Sequence, residues 1–342
     1  MNPPTPSPEF LDPSEVKIPF FPYRFMGVDA GSNAIKCRIW EIWQDGSIRQ
    51  LAEQRDPLRL GQGVFQTGLL NENVIQAAIQ TFRNIARERL AFKVDRLRAV
   101  TTSAMREASN SHVLVQKIAE ESGIDLEILP SEEEARLIAK GVLGGQPRLA
   151  GQTLMIDIGG GSCEAVLACG LKIVSIASMP LGAVRLREMF FPQSPPTSAQ
   201  MDLAERHIHD VLAGGLCLPK LDEDLKCLGS SGTIMALQTM TATLPGRAAA
   251  DQEIGLATLD QIIDQIQNLS TEGIVEVFHL DPARAEIILP GALVQRAIMR
   301  HLGIQSIVPA RGGVSDGLLQ DFLERAGLRR LLFNHAPTPK DP

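Results

Sequence analysis

Residues 154–168 read LMIDIGGGSCEAVLA, and this stretch decides the fold. An apolar run, Leu154 to Ile156, ends on Asp157; Gly159, Gly160 and Gly161 follow; Ser162, Cys163 and Glu164 lead into a second apolar run. Short apolar runs separated by a glycine turn are buried strands. Asp157 and Glu164 then flank the turn of one strand pair. Glycines let bare backbone N–H groups approach a ligand, and such a nest of amides binds anions, a chain of phosphates among them. A carboxylate at the strand end suits a hard divalent cation shared with phosphate oxygens. Glu164, in the returning arm, can hold a metal-bound water. The plainer reading is a glycine hairpin whose aspartate caps the turn.

The same order occurs earlier in the chain. GVDAGSNAIKCRIW (27–40) gives strand, Asp29-Ala30-Gly31 turn with Ser32 and Asn33, and strand. SIRQLAEQR (47–55), after the Asp45-Gly46 hairpin signal, supplies a third strand, as KIVSIASM (172–179) does in the second half. This is an internal duplication of one strand–loop–strand–strand unit. Taken alone, the Asp29 loop is ordinary turn chemistry, because Asp and Asn bond their own backbone. As a pair, two acidic glycine loops in matching halves would face one another across a cleft. A third loop, Gly229-Ser230-Ser231-Gly232-Thr233, opens a helix, and helix N-terminal amides favour phosphate.

Strands and helices alternate through the rest. Asn71 opens a helix with an apolar face of Ile75, Ile79, Phe82, Ala86 and Leu90. A strand over 97–102 follows, then a helix capped by Asn110 and carrying Val113, Ile118 and Ala119, then a short strand over 126–129. Ser131 with Glu134 three residues on is a capping-box signature before a helix to Val142. Helices over 197–214 and 258–269, a strand over 305–310 and a helix over 314–326 close the chain. The pattern is α/β, with helices covering mixed sheets. The Gly- and Pro-broken stretch 144–152 divides a first lobe, 22–145, from a second, 146–314, and the closing helix over 315–327 completes the first. Residues 1–21 and 328–342, rich in proline, read as flexible tails.

At 342 residues the chain suits two or three domains, and 44% hydrophobic with 21% charged residues describes a globular protein with ample core. A net charge of −7 argues against a nucleic-acid polymer as partner. An anionic substrate would need metal ions, loop amides and a few arginines to make its site locally positive. The five cysteines, Cys37, Cys163, Cys169, Cys217 and Cys227, are odd in number and form no C-x-x-C pair. That speaks against a disulfide framework and a zinc site, and for the reducing cytoplasm. No apolar run approaches the ~20 residues that span a bilayer, so no membrane partner is expected. His207 and His209 are two apart and so off any common helical face, a poor metal pair.

Two further stretches carry candidate chemistry. In Ser131-Glu132-Glu133-Glu134-Ala135-Arg136, acidic residues complement a helix dipole, which is the plain reading. A carboxylate that activates water must lie beside metal and phosphate, which spacing alone leaves open. Thr101-Thr102-Ser103-Ala104-Met105-Arg106-Glu107 follows a buried strand, at a sheet end where α/β sites form. Arg106 there is a candidate for stabilising charge on a transferring phosphoryl group, or else a surface ion-pair partner of Glu107 or nearby acids. Cys163 reads most simply as a small packing residue.

GVDAGSNA, TSAMREASN, EEEARLIAKGV, IDIGGGSCEAV, PLGAVRL and GSSGT, in this order, resemble the exopolyphosphatase/guanosine pentaphosphate phosphohydrolase family. The resemblance runs from about Phe25 to about Leu323. It implies the duplicated actin-like, sugar-kinase-like (ribonuclease H-like) fold, two lobes closing on a cleft. It also implies a catalytic base at Glu134, metal binding by Asp157, Glu164 and Asp29, and a catalytic arginine at Arg106. The phosphate-cradling loops would be Gly31-Ser32-Asn33, Gly159-Gly160-Gly161-Ser162 and Gly229-Ser230-Ser231-Gly232-Thr233. The implied cofactor is Mg²⁺, or Mn²⁺ in its place. The implied substrate is polyphosphate or a guanosine nucleotide, and a homodimer is the implied assembly. Many members have Thr where Cys163 stands, and longer ones carry a further C-terminal domain, so this chain reads as a short form.

The resulting expectation is a hydrolase that releases terminal orthophosphate from polyphosphate or guanosine pentaphosphate. A kinase or ATPase of the same superfold and a catalytically weak phosphate-chain sensor are the alternatives.

Overall fold

The computed structural model describes residue 18 and residues 20–146, 151–244 and 253–328. Most of both expected tails, and the middle of the expected boundary at 144–152, lie outside the described residues. The first half runs β1 (Tyr23–Ala30), β2 (Ile35–Ile42), β3 (Ile48–Asp56), α1 (Val64–Thr67), α2 (Glu72–Ala91), β4 (Arg96–Thr101), α3 (Ser103–Glu107), α4 (Ser111–Ser122), β5 (Leu126–Ile128) and α5 (Ser131–Gly144). The second runs β6 (Gln152–Ile158), β7 (Cys163–Cys169), β8 (Lys172–Met179), α6 (Ala183–Phe190), α7 (Ser198–Gly215), β9 (Lys226–Ser230), α8 (Ser231–Thr241), β10 (Ile254–Gly255) and α9 (Leu256–Ile266). It continues with α10 (Thr271–Phe278), α11 (Pro282–Leu302), β11 (Ser306–Pro309) and α12 (Val314–Arg325).

The two sheets are copies of one design. In the first the order is β3-β2-β1-β4-β5, and in the second β8-β7-β6-β9-β11, with β10 added at the edge. In each, the opening strand pairs antiparallel with the next and parallel with the fourth. That repeated order is the duplicated, two-lobed actin-like fold. Because the opening strand is central in both sheets, the turn that leaves it emerges at the same sheet end in each lobe. This placement brings the two Asp-x-Gly loops to one cleft.

Three packed regions hold the lobes. One lies on the outer side of the first sheet, under α2 and α4, and another on the outer side of the second. The third lies between the sheets and contains α5 and α12. Here the chain crosses over: α5, which ends the first half, packs on β7 and β8, while α12, which ends the second half, packs on β1 and β2. Phe322 of α12 stacks on Phe25 at 4.6 Å and on Tyr23 at 5.7 Å between ring centroids. Such pairs contribute about 1 kcal/mol each beyond the area they bury. The helices α5 and α12 touch backbone to backbone. A Cβ on Gly317 would overlap the Leu137 carbonyl, and one on Gly141 would meet the Gly317 nitrogen at 2.8 Å.

Local expectations fare unevenly. Asn71 caps α2, its side chain accepting from the Asn73 amide, and α2 buries Ile75, Ile79 and Phe82. Leu90, expected on the same face, is 77% exposed, because the buried stripe instead runs Val74, Ala78 and Ile85. Asn110 does not cap α4; its side chain bonds both the N–H and the C=O of Leu70. The Ser131 capping box is absent as well. The helix begins at Ser131 itself with Pro130 as its N-cap, which moves Glu134 one position past the capping-box site, still in the first turn. A true capping box stands at Thr197 and Gln200. The long helix α11 was not expected at all.

Candidate active site

A cleft between the lobes is lined by Asp29, Gly31, Ser32 and Asn33 from the first loop and by Asp157 and Gly159 to Ser162 from the second. Ser231 and Gly232 of the third loop and Glu134 of α5 complete the expected set that reaches it. Arg106, Glu164, Gly229, Ser230 and Thr233 stand behind this surface. Ser230 donates a hydrogen bond to the Asp157 carboxylate, and Thr233 donates to the Ile158 carbonyl at 3.3 Å. Lys36, Arg55, Thr102, Arg284 and the Gly312-Gly313 turn also line the cleft, and none of these was expected there.

The second loop shows why its amides are free. The Gly159 carbonyl accepts from the Ala183 amide at 2.9 Å, and the Gly160 carbonyl accepts from Val184 and Arg185. The Gly161 carbonyl accepts from Arg185 Nε at 2.7 Å. In a trans peptide the N–H points opposite to the C=O. With these carbonyls turned to α6, the amides of Gly160, Gly161 and Ser162 face the other way, and all three residues line the cleft. A side chain at Gly161 would meet Ser103 Oγ at 2.5 Å and Phe65 at 2.7 Å, so the loop can lie this close to the first lobe only with glycine. In the third loop Ser231 takes a left-handed φ of 91°, an uncommon conformation for a residue with a side chain. Its hydroxyl accepts from the Thr233 amide at 3.2 Å, steadying the first turn of α8.

The acids form one electrostatic cluster. Asp29 and Asp157 are each 8% exposed and Glu164 is 1% exposed. Burial raises the pKa of Asp29, with Lys36 opposing and Asp157 adding to the rise. Burial likewise raises Asp157, against the Ser230 hydrogen bond and Lys36. Glu164 is pushed well above the usual carboxylate range by burial and then by the charges of Glu134 and Asp157. One of its oxygens accepts from Ser178 at 3.0 Å, and the other, Oε2, is buried without a hydrogen-bond partner. A buried, unpartnered carboxylate oxygen beside other acids is the donor set that a hard cation satisfies. Among the described residues no three His, Cys, Asp or Glu side chains close into a cage. An ion at Asp157 would therefore complete its shell with phosphate and water oxygens, as Mg²⁺ does.

Glu134 stands across from this cluster. Burial pushes its carboxyl up to about 7, while Arg106 pulls it down and Asp29 and Asp157 add to the rise. Arg106 Nη1 donates to Glu134 Oε2 at 2.7 Å and to the Leu129 carbonyl at 2.9 Å. Arg106 is thus the partner of Glu134, and Glu107 pairs instead with Arg185, whose guanidinium lies 4.2 Å over the Phe65 ring. The cations that line the cleft are Lys36, Arg55 and Arg284. Burial lowers the pKa of Arg284 to about 10, and the like charges of Arg55 and Arg59 add to the fall. Cys163 is fully buried in the core of the second lobe.

Two acidic glycine loops, a helix N-terminus and a ring of cations around buried carboxylates, set between duplicated actin-like lobes, define a phosphate-handling cleft of the actin-like superfold. A model of the Ppx/GppA phosphatase family matches residues 41–326, and the chain belongs to that family of phosphatases. The Asp29 loop precedes the matched stretch. The Aquifex aeolicus member of the Ppx/GppA family is 26% identical, with 92% of this chain and 99% of that one covered, at a TM-score of 0.72. An exopolyphosphatase from Cytophaga hutchinsonii shares the fold at 23% identity and a TM-score of 0.78, with 89% and 98% covered. No helix among the described residues is long and apolar enough to cross a membrane.

Proposed function

We propose that the chain hydrolyses the terminal phosphoanhydride bond of inorganic polyphosphate or of guanosine pentaphosphate, with Glu134 as the general base. The observation that carries this reading is the position of Glu134. It is a carboxylate in the first turn of α5, lining the cleft that the three loops line, and set near neutral pKa by burial. A general base works best with a pKa near the working pH. A kinase would use such a carboxylate on an acceptor hydroxyl, and the match to a family of phosphatases favours water as the nucleophile. Cys163, the only hint of a weak sensor, packs in the core and does not line the cleft.

The amides of Gly160, Gly161 and Ser162 and the N-terminus of α8 take the terminal phosphate oxygens. Lys36, Arg55 and Arg284 meet the charges of the following phosphates. Asp157 would hold Mg²⁺ or Mn²⁺, with Asp29 and Glu164 helping through bound water, and the ion would supply charge neutralisation on the phosphate oxygens. Glu134 orients a water and accepts its proton as the oxygen bonds to phosphorus. The bond from that phosphorus to the bridging oxygen breaks, and orthophosphate leaves. Arg106 holds the Glu134 carboxylate in place and charged.

The test is orthophosphate release from long polyphosphate, guanosine pentaphosphate and ATP, side by side, with and without Mg²⁺. Release from either of the first two, lost in Glu134→Gln, is expected. Acceptor-dependent use of ATP alone would overturn the reading.

A further inference from the structure

The Arg106–Glu134 pair joins α3, which follows β4, to α5, close to the Leu129 amide's bond to the Thr101 carbonyl at 2.9 Å. A second set of ties between β4 and α5 lies on the opposite side of both. Asp321 of α12 is only 3% exposed, yet it is an aspartate. Its Oδ2 accepts from Arg98 of β4 at 3.1 Å, and its Oδ1 accepts from Arg136 of α5 at 2.9 Å and Lys140 of α5 at 2.7 Å. Arg325, one turn along α12, adds a contact at 2.9 Å. Glu133 completes the bridge, 2.6 Å from Arg136 and 3.8 Å from Arg98.

The geometry of α5 gives this network its meaning. Positions 133, 136 and 140 fall on one stripe of the helix, and Glu134 projects about 100° away from Glu133. A helix held along one stripe cannot turn about its axis, so the stripe fixes where Glu134 points. The close backbone contact of Gly141 and Gly317 limits the separation of α5 and α12, but small residues alone leave sliding and rotation open. Charged partners at fixed distances remove both freedoms. The other end of α12 is tied to the strand next to that of Asp29, through Asp316 and Arg38 at 2.7 Å.

We propose that Asp321 is a positioning residue for catalysis: it ties β4 and α5 together, and through them sets the Arg106–Glu134 pair. The proposal rests on the reading of Glu134 as the base. Asp321 touches neither the cleft nor substrate, so its removal changes turnover and not substrate affinity.

The experiment compares Asp321→Asn, Arg136→Gln and Arg325→Gln in the full chain, measuring kcat and KM for orthophosphate release from polyphosphate together with Tm. Asp321→Asn and Arg136→Gln are expected to lower kcat at least tenfold with KM within twofold. Arg325→Gln leaves in place the bonds of Asp321 to Arg98, Arg136 and Lys140, and is expected to keep kcat within twofold. If Asp321→Asn does not fold, Arg136→Gln reads the same tie from the α5 side. The proposal is overturned by wild-type kcat in the folded tie variants, or by an equal loss in Arg325→Gln. Glu134→Gln is measured beside them. Turnover retained there overturns the base itself, whereas turnover lost there but kept in Asp321→Asn overturns only the positioning role.

Discussion

Lys36 and Glu164 occupy the same place in the two halves of the molecule. Each lies across an antiparallel strand pair from the aspartate of its loop, Lys36 opposite Asp29 and Glu164 opposite Asp157. The duplicated site has thus diverged in sign: one half opposes its aspartate with a cation, the other with a second acid. This split suits a substrate that is anionic yet carries a metal ion. On the proposed reading, the half with Glu164 would attract a cation and the half with Lys36 would attract phosphate.

Removing the positive partner should therefore affect anion and metal in opposite directions. Lys36→Met leaves Asp29 and Asp157 without a charge that lowers the pKa of both. The expected result is a rise of roughly tenfold in KM for polyphosphate, of the order of one lost charge-assisted contact. The Mg²⁺ concentration for half-maximal activity should fall, because a competing cation is gone. A titration of rate against Mg²⁺ at several substrate concentrations measures both. An unchanged KM would separate Lys36 from substrate binding.

Arg106 and Glu134 make a second test, by pH. Arg106 lowers the pKa of Glu134, so Arg106→Met should raise it. A general base must be deprotonated to act, so turnover rises with pH through its pKa. The acid limb of the rate profile should move to higher pH by about one unit or more, as for the loss of one nearby opposite charge. Activity at high pH should recover in part. A profile that falls uniformly at all pH values would mean that Arg106 acts on substrate directly.

The glycine loops and their aspartates were legible in the sequence because a strand that ends in Asp-x-Gly is a local pattern, and its repetition marks the duplication. Lys36 could have been found the same way, since it stands seven residues after Asp29 as Glu164 does after Asp157. Arg284 and Gly312-Gly313 could not, because only the packing of the second half against the first brings them to the cleft; Arg55 reaches it through the register of β3, opposite Lys36. The helix α11 escaped notice for two reasons. Pro290 lies inside it, and residues 287–294 are buried all round, which erases the amphipathic period. Glu134 was misread locally as a cap partner because Ser131 and Glu134 have capping-box spacing. Pro130 takes the N-cap position instead and shifts the frame by one residue.

The contact of α5 with α12 predicts a stability effect. A methyl at Gly317 would overlap the Leu137 carbonyl, and two backbones cannot both keep their positions. Gly317→Ala is expected to cost about 1–3 kcal/mol, the usual range for overpacking. In a domain of this size that lowers Tm by several degrees. Gly327→Ala, at a left-handed φ of 71° with open space around it, should cost less, through backbone strain alone. Thermal melts of the two variants compare overlap with strain. Equal losses would deny the close helix contact.

The buried acids predict how stability depends on pH. Asp29, Asp157, Glu164 and Glu134 all have pKa values raised in the folded state, first by burial and, for all but Asp157, also by one another. In the unfolded chain such carboxylates titrate near 4. Between that value and their folded values the unfolded state binds fewer protons than the native state, so stability falls as pH rises. The stabilisation from protonated carboxyls is full below about pH 4 and is lost as pH climbs through the raised folded values, about 7 for Glu134. Glu164→Gln should therefore raise Tm at pH 8 and leave it nearly unchanged at pH 4. Mg²⁺ should raise the Tm of the wild type at pH 8, because a ligand bound only by the native state stabilises it. It should do so much less in Glu164→Gln, where the unpartnered oxygen has become a neutral amide group. Melting curves at the two pH values, with and without Mg²⁺, decide the matter. A Glu164→Gln protein that gains nothing at pH 8 and still responds fully to Mg²⁺ would place the cation away from Glu164.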